Sequence, residues 1–288
     1  MQQPQSIYGI IGFPLTYTLS PVMHNTAFKE LGVNSIYKAF PLKEEDVDDF
    51  LKELKEDHNP IFGLNVTVPY KEKAVQYLDV MTPFVERAMA VNTIVINKQR
   101  QLVGYNTDAA GFMAHLSELK FDVKGKNIAI LGAGGSTRAI LTVLCMMPER
   151  PASIRIYNRT ASRLNGLLDD LQSRVDLSIV EPIYNINDLD LQIIDVLINA
   201  TSIGLKKTDP CLVDEEAIHP NMLVYDLIYN PQETLLLKIA KEKGAKVSNG
   251  LGMLYYQGVL SLQHWAQVQL SETIKRKMRQ SLEKALLK

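Results

Sequence analysis

Four short stretches of the chain concentrate residues able to do chemistry. Lys126 to Ala139, KNIAILGAGGSTRA, is an apolar run that reaches a cluster of glycines and continues as a helical pattern. Glycines after a strand let the backbone turn tightly and approach a pyrophosphate, whose charge is met by free amides and the positive end of the next helix. Gly132 and Gly134 fit the first two positions of G-x-G-x-x-G, Thr137 stands in the third and Gly135 is extra. Taken alone that pattern is a weak signal. Its context strengthens it, because SIRIY (Ser153 to Tyr157) ends in Asn158, Arg159 and Thr160, with Arg163 one helical turn on. Such a unit reads the adenosine ribose about 20 residues beyond the glycines. An acidic residue there would accept bonds from the ribose hydroxyls of NAD, whereas paired arginines suit a doubly charged 2'-phosphate. The expected cofactor is therefore NADP rather than NAD, the alternative being an arginine pair on a solvated helix start.

The other two stretches lie earlier. Gly63 to Val68, GLNVTV, reads as a strand whose alternation puts Asn65 and Thr67 on one face. A helix is expected from Pro69 to about Asp79, with Lys71 in its first turn. The helix dipole disfavours a cation there, so a lysine among polar neighbours is a functional candidate, a solvated surface lysine being the alternative. Leu102 to Tyr105 delivers Asn106, Thr107 and Asp108 to the start of a further helix. Thr107 or Asp108 could cap that helix, a role that leaves the carboxylate open to catalysis. Ser20 before Pro21 is likewise either an N-cap followed by proline at the first helical position or a ligand-binding hydroxyl.

The elements that must position these residues follow from periodicity. Strands are expected at Ile7–Gly12 and Ile36–Phe40 and helices at Val22–Leu31 and Glu44–Lys55, then a strand pair at Val91–Ile96 and Leu102–Tyr105. After the glycine stretch come helices at Arg138–Met147, Ala161–Gln172 and Glu233–Lys243. They alternate with strands at Ser153–Tyr157, Leu177–Val180, Asp195–Ala200, Leu223–Ile228 and Lys246–Ser248. The fold class is α/β: an N-terminal α/β substrate domain and a Rossmann-like, doubly wound parallel-sheet domain for NADP. In such sheets ligands lie beyond the carboxyl ends of the strands, here marked by Gly132, Asn158, Thr201 and Tyr229. The boundaries expected are 1–112 with 249–288 for the substrate domain and 113–248 for the dinucleotide domain.

With 288 residues and 46% hydrophobic content the chain can bury two moderate cores. A net charge of -1 calls for no nucleic-acid partner. Two cysteines, Cys145 and Cys211, offer neither a disulfide framework nor metal spacing and fit a reducing compartment. The start, MQQPQS, has no positive charge and the apolar residues after it are broken by Gly12 and Pro14, so no signal peptide is expected. Val247 to Ser271 lacks Asp, Glu, Lys and Arg but carries four glutamines, Asn249 and His264, too many polar side chains for hydrocarbon, and reads as a turn and a half-buried helix of a cytoplasmic protein.

Together the pieces resemble the shikimate dehydrogenase family over nearly the whole chain. The resemblance rests on Thr18-Leu19-Ser20-Pro21, Asn65 through Lys71, Ala90-Val91-Asn92-Thr93, Gly104 through Asp108, Gly132-Ala133-Gly134-Gly135, Asn158-Arg159-Thr160, Asn199-Ala200-Thr201-Ser202, and Gly250 through Met253 to Gln257. Each is weak; the set in this order is specific. It implies reversible reduction of 3-dehydroshikimate with NADPH, in the pathway to chorismate and the aromatic amino acids. Lys71 would be the proton donor and Asp108 its partner at the same hydroxyl, while Thr18 and Ser20 would hold the substrate carboxylate. Thr67, Asn92, Tyr229 and Gln257 would bind the rest of the ring. Gly132, Ala133, Gly134, Gly135 and Ser136 would cradle the pyrophosphate, and Asn158, Arg159, Thr160 and Arg163 the adenosine phosphate. Thr201, Leu227, Gly250 and Met253 would take the nicotinamide end, with no metal required. Because Gly250 and Met253 follow the dinucleotide domain, the C-terminal helices are expected to return to the first domain, leaving both ligands in a cleft between the two. One residue departs from the family's Ser-x-Ser-Pro: Thr18, whose methyl narrows the carboxylate pocket and keeps quinate or dual quinate/shikimate activity as a rival. A non-catalytic sensor of the same ligands is the alternative of another class. Monomer and homodimer stay equally open.

Overall fold

The computed structural model describes residues 5–287; the first four, part of the N-terminal stretch read above for a leader, lie outside them. The chain forms two compact units, one made of residues up to Phe112 together with those from Leu254 onward, the other of Met113–Met253.

The first unit carries β1 (Ser6–Gly12), α1 (Ser20–Leu31), β2 (Ser35–Pro41), α2 (Glu44–Glu53), β3 (Ile61–Val66), a 3-10 turn (Lys73–Tyr77), β4 (Val80–Met81), α3 (Pro83–Ala88), β5 (Thr93–Ile96), β6 (Leu102–Tyr105) and the start of α4 (Thr107–Glu118). Its sheet has the order β2-β1-β3-β5-β6-β4. β1 runs parallel to β2 and β3, while β5 runs antiparallel to β3 and also to β6, as the polar turn joining β5 to β6 demands. Ile11, Leu64, Val66, Ile94 and Leu102 from the sheet meet Val47, Leu51 and Leu54 of α2 and its end in one core. Each such side chain, fully buried, contributes about 1.5–3 kcal/mol.

The second unit alternates strand and helix: β7 (Asn127–Leu131), α5 (Gly135–Met146), β8 (Ser153–Tyr157), α6 (Ala161–Gln172), β9 (Val180–Ile183), β10 (Val196–Asn199), β11 (Leu223–Asp226), α7 (Leu235–Glu242) and β12 (Lys246–Ser248). The sheet order β12-β11-β10-β7-β8-β9, parallel throughout, is the dinucleotide-binding order with its reversal between β7 and β10. β10 and β11 are buried at every position, the mark of central strands covered on both faces.

From α8 (Leu251–Ala266) the chain returns to the first unit, where α9 (Glu272–Leu286) packs on α1. Trp265 of α8 lies over β3 at Gly63, where a Cβ would collide with the indole, so only glycine leaves room for the ring. Val247–Ser271 thus resolves into the end of β12, α8 and a loop. No helix among the described residues is long and apolar enough to cross a membrane.

Several local expectations are corrected. The helix expected from Pro69 to Asp79 is only the 3-10 turn Lys73–Tyr77, so Lys71 sits in irregular backbone before it and no helix dipole acts on it. β3 stops at Val66, leaving Thr67 outside the strand as the first residue of a turn closed by Tyr70 N–H donating to Thr67 O at 2.9 Å. Ser20 is the first residue of α1 and does not cap it; Leu19 holds the cap position without a side-chain bond. α5 begins at Gly135, three residues before the expected Arg138, because Gly134 takes the extended cap conformation. β9 falls at Val180–Ile183 rather than Leu177–Val180, and β4 and α3 went unread because each is too short to show a period.

Candidate active site

Lys71 and Asp108 meet in the first unit. The Lys71 Nζ donates to Asp108 Oδ2 at 2.5 Å, and both side chains are more than nine-tenths buried. Asp108 can serve here because a neighbour does the capping: Asn106 Oδ1 accepts from the backbone N–H groups of Asp108 (3.1 Å) and Ala109 (3.3 Å), so neither Thr107 nor Asp108 is spent on the helix start. The lysine backbone is fixed from the other side, its carbonyl accepting from Val91 N–H at 2.9 Å.

Asn92 ties this pair to its surroundings. Its amide nitrogen lies 2.9 Å from Asp108 Oδ1, 2.9 Å from Thr107 Oγ1 and 3.3 Å from Gln257 Oε1. Its amide oxygen accepts from Thr107 N–H at 2.6 Å. Behind Asn92 stands a polar layer of which sequence reasoning singled out only Asn65. Asn65 Nδ2 reaches Asn92 O, Thr93 Oγ1 and Ser261 Oγ at 3.0–3.1 Å, and Tyr37 donates its phenol to Asn65 Oδ1 at 2.7 Å. Thr93 and Ser261 share a bond of 2.8 Å. Asn65 and Thr93 stood within the motifs quoted above, and Ser261 lies one helical turn beyond Gln257; Tyr37 gave no signal. A buried polar layer with its partners in place holds a unique geometry, since breaking any link strands a buried donor or acceptor. Gly111 lets α8 come this close: a Cβ there would sit 2.8 Å from Gln257 N.

Thr18 and Ser20 form a local pair in which Thr18 Oγ1 accepts from Ser20 N–H at 3.3 Å, leaving the threonine hydrogen free to donate. Thr67 abuts Gly12, where a Cβ would collide with the threonine methyl. Tyr229 belongs to the second unit, whereas the other expected substrate residues belong to the first.

In the second unit the expected cofactor residues gather at the carboxyl ends of β7, β8, β10 and β11. Gly132, at φ +112°, donates its N–H to Tyr157 O at 2.8 Å, which sets the glycine turn beside Asn158 and the exposed Arg159, Thr160 and Arg163. Neither arginine enters an ion pair among the described residues, so both guanidinium groups are available to an anion. A Cβ on Gly134 would meet no protein atom within 4 Å, and the start of α5 has no side-chain cap. Internal packing therefore does not require glycine at 134; open space before the start of a helix, from Gly135 and Ser136 on, fits a pyrophosphate. Ala133 lies between these glycines. Thr201 is held by Asn199 Oδ1, which accepts from its N–H (3.0 Å) and its hydroxyl (2.7 Å). Gly250 closes on Leu227, where a Cβ would run into the carbonyl oxygen, and Met253 follows it, buried in α8.

A doubly wound dinucleotide sheet joined to a unit with a buried amine–carboxylate pair defines an α/β oxidoreductase of the nicotinamide-dependent class. The model for the shikimate dehydrogenase substrate binding domain matches residues 10–94. A curated relative from Caldanaerobacter subterraneus named shikimate dehydrogenase (NADP(+)) is 40% identical over 264 residues, 90% of this chain and 91% of its own length. The crystal structure of shikimate 5-dehydrogenase from Thermus thermophilus in complex with NADP(H) and shikimate is similar with a TM-score of 0.82 at 30% identity, over 98% of this chain and 100% of that one. A 5-ketofructose reductase from a Gluconobacter strain shares the architecture too, with a TM-score of 0.80 at 29% identity, over 98% and 99% of the two chains. The chain belongs to the shikimate dehydrogenase family.

Proposed function

We propose that this chain catalyses the reversible, NADP(H)-dependent interconversion of 3-dehydroshikimate and shikimate. The observation that carries the reading is the buried Lys71–Asp108 pair, bonded through Asn92 to Gln257. NADPH, when bound, supplies the hydride to the ketone carbon. Lys71 gives its proton to the ketone oxygen as negative charge builds there, and takes it back when the alcohol is oxidised. Asp108 holds the ammonium group in place and accepts from the substrate hydroxyl formed. Asn92 and Gln257 fix the ring by its other hydroxyls, Thr67 and Tyr229 add further donors, and Thr18 with Ser20 binds the carboxylate. On the cofactor side Gly132 to Ser136 take the pyrophosphate, Asn158 to Arg163 the 2'-phosphate, and Thr201, Leu227, Gly250 and Met253 the nicotinamide end. The acid and the hydride donor serve one carbon–oxygen bond, so no metal is needed in the step.

A keto-sugar reductase on the same architecture means that the fold leaves the substrate open, and Thr18 is the position where this chain departs from its family. The decisive assay follows the reduced-nicotinamide absorbance with shikimate, quinate and fructose as substrates, each against NADP and NAD. Turnover highest with shikimate and NADP supports the reading; preference for quinate assigns the rival activity. Binding of shikimate and NADP with no absorbance change would instead favour a sensor, a reading that the named activities of the relatives do not favour.

A further inference from the structure

We propose that Asp226 is a positioning residue that staples together the two loops serving the nicotinamide, so that its removal degrades hydride transfer while sparing the adenosine end. The proposal rests on the reading that Thr201, Leu227 and Tyr229 face that part of the cofactor. β10 and β11 pair in register so that their last residues, Asn199 and Asp226, lie side by side. Asp226 Oδ1 accepts from Asn199 Nδ2 at 3.0 Å and from Ile228 N–H at 3.0 Å, and Oδ2 accepts from the Thr234 hydroxyl at 2.7 Å.

Each of those three donors leads to a different segment. Asn199 Nδ2 also donates to Ile203 O at 3.1 Å, and its Oδ1 holds Thr201, so it governs the loop after β10. Ile228 stands between Leu227 and Tyr229 in the loop after β11. Thr234 caps α7, its hydroxyl accepting from Leu237 N–H at 3.3 Å. The segments also touch: Gly204, at φ +113°, is so close to Thr234 and Ile228 that a Cβ would come within 3.2–3.3 Å of both side chains.

Asp226 is fully buried, and among the described residues it makes no ion pair. Burial raises its pKa above the usual carboxylate range. An apolar residue would fill this site without that cost, so the carboxyl group is retained for what its two oxygens hold together. Neither oxygen is directed to substrate chemistry, which makes this a matter of geometry rather than catalysis. A loop shift of an ångström at the hydride donor is enough to lower turnover by orders of magnitude.

The test uses the full chain with three substitutions: Asp226→Asn, which keeps shape, Thr234→Val, which removes one tether and leaves the carboxyl group, and Thr234→Ser, which restores the hydroxyl. Steady-state kcat and KM for NADP are measured beside the dissociation constants of NADP and of 2',5'-ADP, which lacks the nicotinamide. Asp226→Asn and Thr234→Val are expected to lower kcat about tenfold or more and to weaken NADP binding, with 2',5'-ADP binding within about twofold of wild type; Thr234→Ser recovers kcat. Unchanged kcat in folded variants overturns the proposal, and so does a parallel loss of 2',5'-ADP affinity, which marks damage to the whole unit. If Asp226→Asn does not fold, Thr234→Val decides. Absence of wild-type turnover would defeat the function proposed above, yet the gap between NADP and 2',5'-ADP affinities would still report on Asp226.

Discussion

Acidification should destabilise the first unit through His24, by an amount readable from its surroundings. The ring is fully buried, neither nitrogen has a hydrogen-bond partner, and it stacks on Tyr37 with centroids 4.4 Å apart. Burial pulls its pKa from 6.5 down to about 3. Between those values the unfolded chain binds a proton that the native chain refuses, so stability rises with pH through the window and is lost on acidification, at about 1.4 kcal/mol per pH unit. Going from pH 7 to pH 4.5 therefore removes about 2.5 kcal/mol through this residue alone, which for an m-value of about 2 kcal/mol per molar moves a urea midpoint by roughly 1 M. Other groups titrate nearby: His264 is also lowered by burial and adds to the loss, while Asp226, raised, acts in the opposite sense as pH climbs through its own titration. Comparing wild type with His24→Phe cancels both. The chain's one tryptophan, Trp265, lies 5.2 Å from the His24 ring and reports on this unit by fluorescence. The variant carries a pH-independent penalty of about 1–3 kcal/mol for its larger ring, and the stability of wild type minus that of the variant should fall by the stated amount on going to pH 4.5, changing sign where the penalty is smaller than that amount. Parallel stability curves for the two proteins over that range would refute a buried neutral histidine.

Lys71→Ala should lower kcat by about 10²–10⁴ with little change in KM for shikimate; near-normal turnover in stopped-flow or steady-state assays would remove Lys71 from the proton-transfer role. Two glycines should separate binding from folding. Gly134→Ala, with open space around its Cβ, should leave the melting temperature unchanged while weakening NADP binding about tenfold or more, whereas Gly250→Ala must push Leu227 O aside and should lower the melting temperature by several degrees in a thermal scan. Arg159→Ala, at an exposed position, should cut the preference for NADP over NAD by about 10–100-fold in kcat/KM with stability within about 0.5 kcal/mol of wild type.

Much of the second unit was legible because its code is local. A buried parallel strand reads as an apolar run, as NIAIL and LVYD largely do, while SIRIY shows as Ile154 and Ile156 alternating with half-buried neighbours. The first unit was harder. Its strand–turn–strand pair declared itself, but Pro69 to Asp79 imitated a helix: helical spacing of Tyr70, Ala74 and Val75 arises here from a 3-10 turn packed under α2. Capping was misassigned twice for one reason. Several side chains near a helix start can each serve as the cap, and neighbours elsewhere in the chain decide which one is left over; at α4 Asn106 takes the role, and at α1 no side chain does.

The sequence by itself pointed to the class of cofactor chemistry and to Lys71 and Asp108 as candidates for the proton-transfer role, because glycine spacing, paired arginines and a lysine beside polar residues are properties of residue type and order. Only the tertiary structure decided that Lys71 and Asp108, 37 positions apart, touch, and that Asn92 joins them to Gln257, 165 positions further on. It alone revealed the layer of Tyr37, Asn65, Thr93 and Ser261 behind them. Hydrogen bonds of that kind reward close control of distance and angle, which no period in a linear chain encodes; they form where sheet register and helix packing have already brought the donors and acceptors within reach.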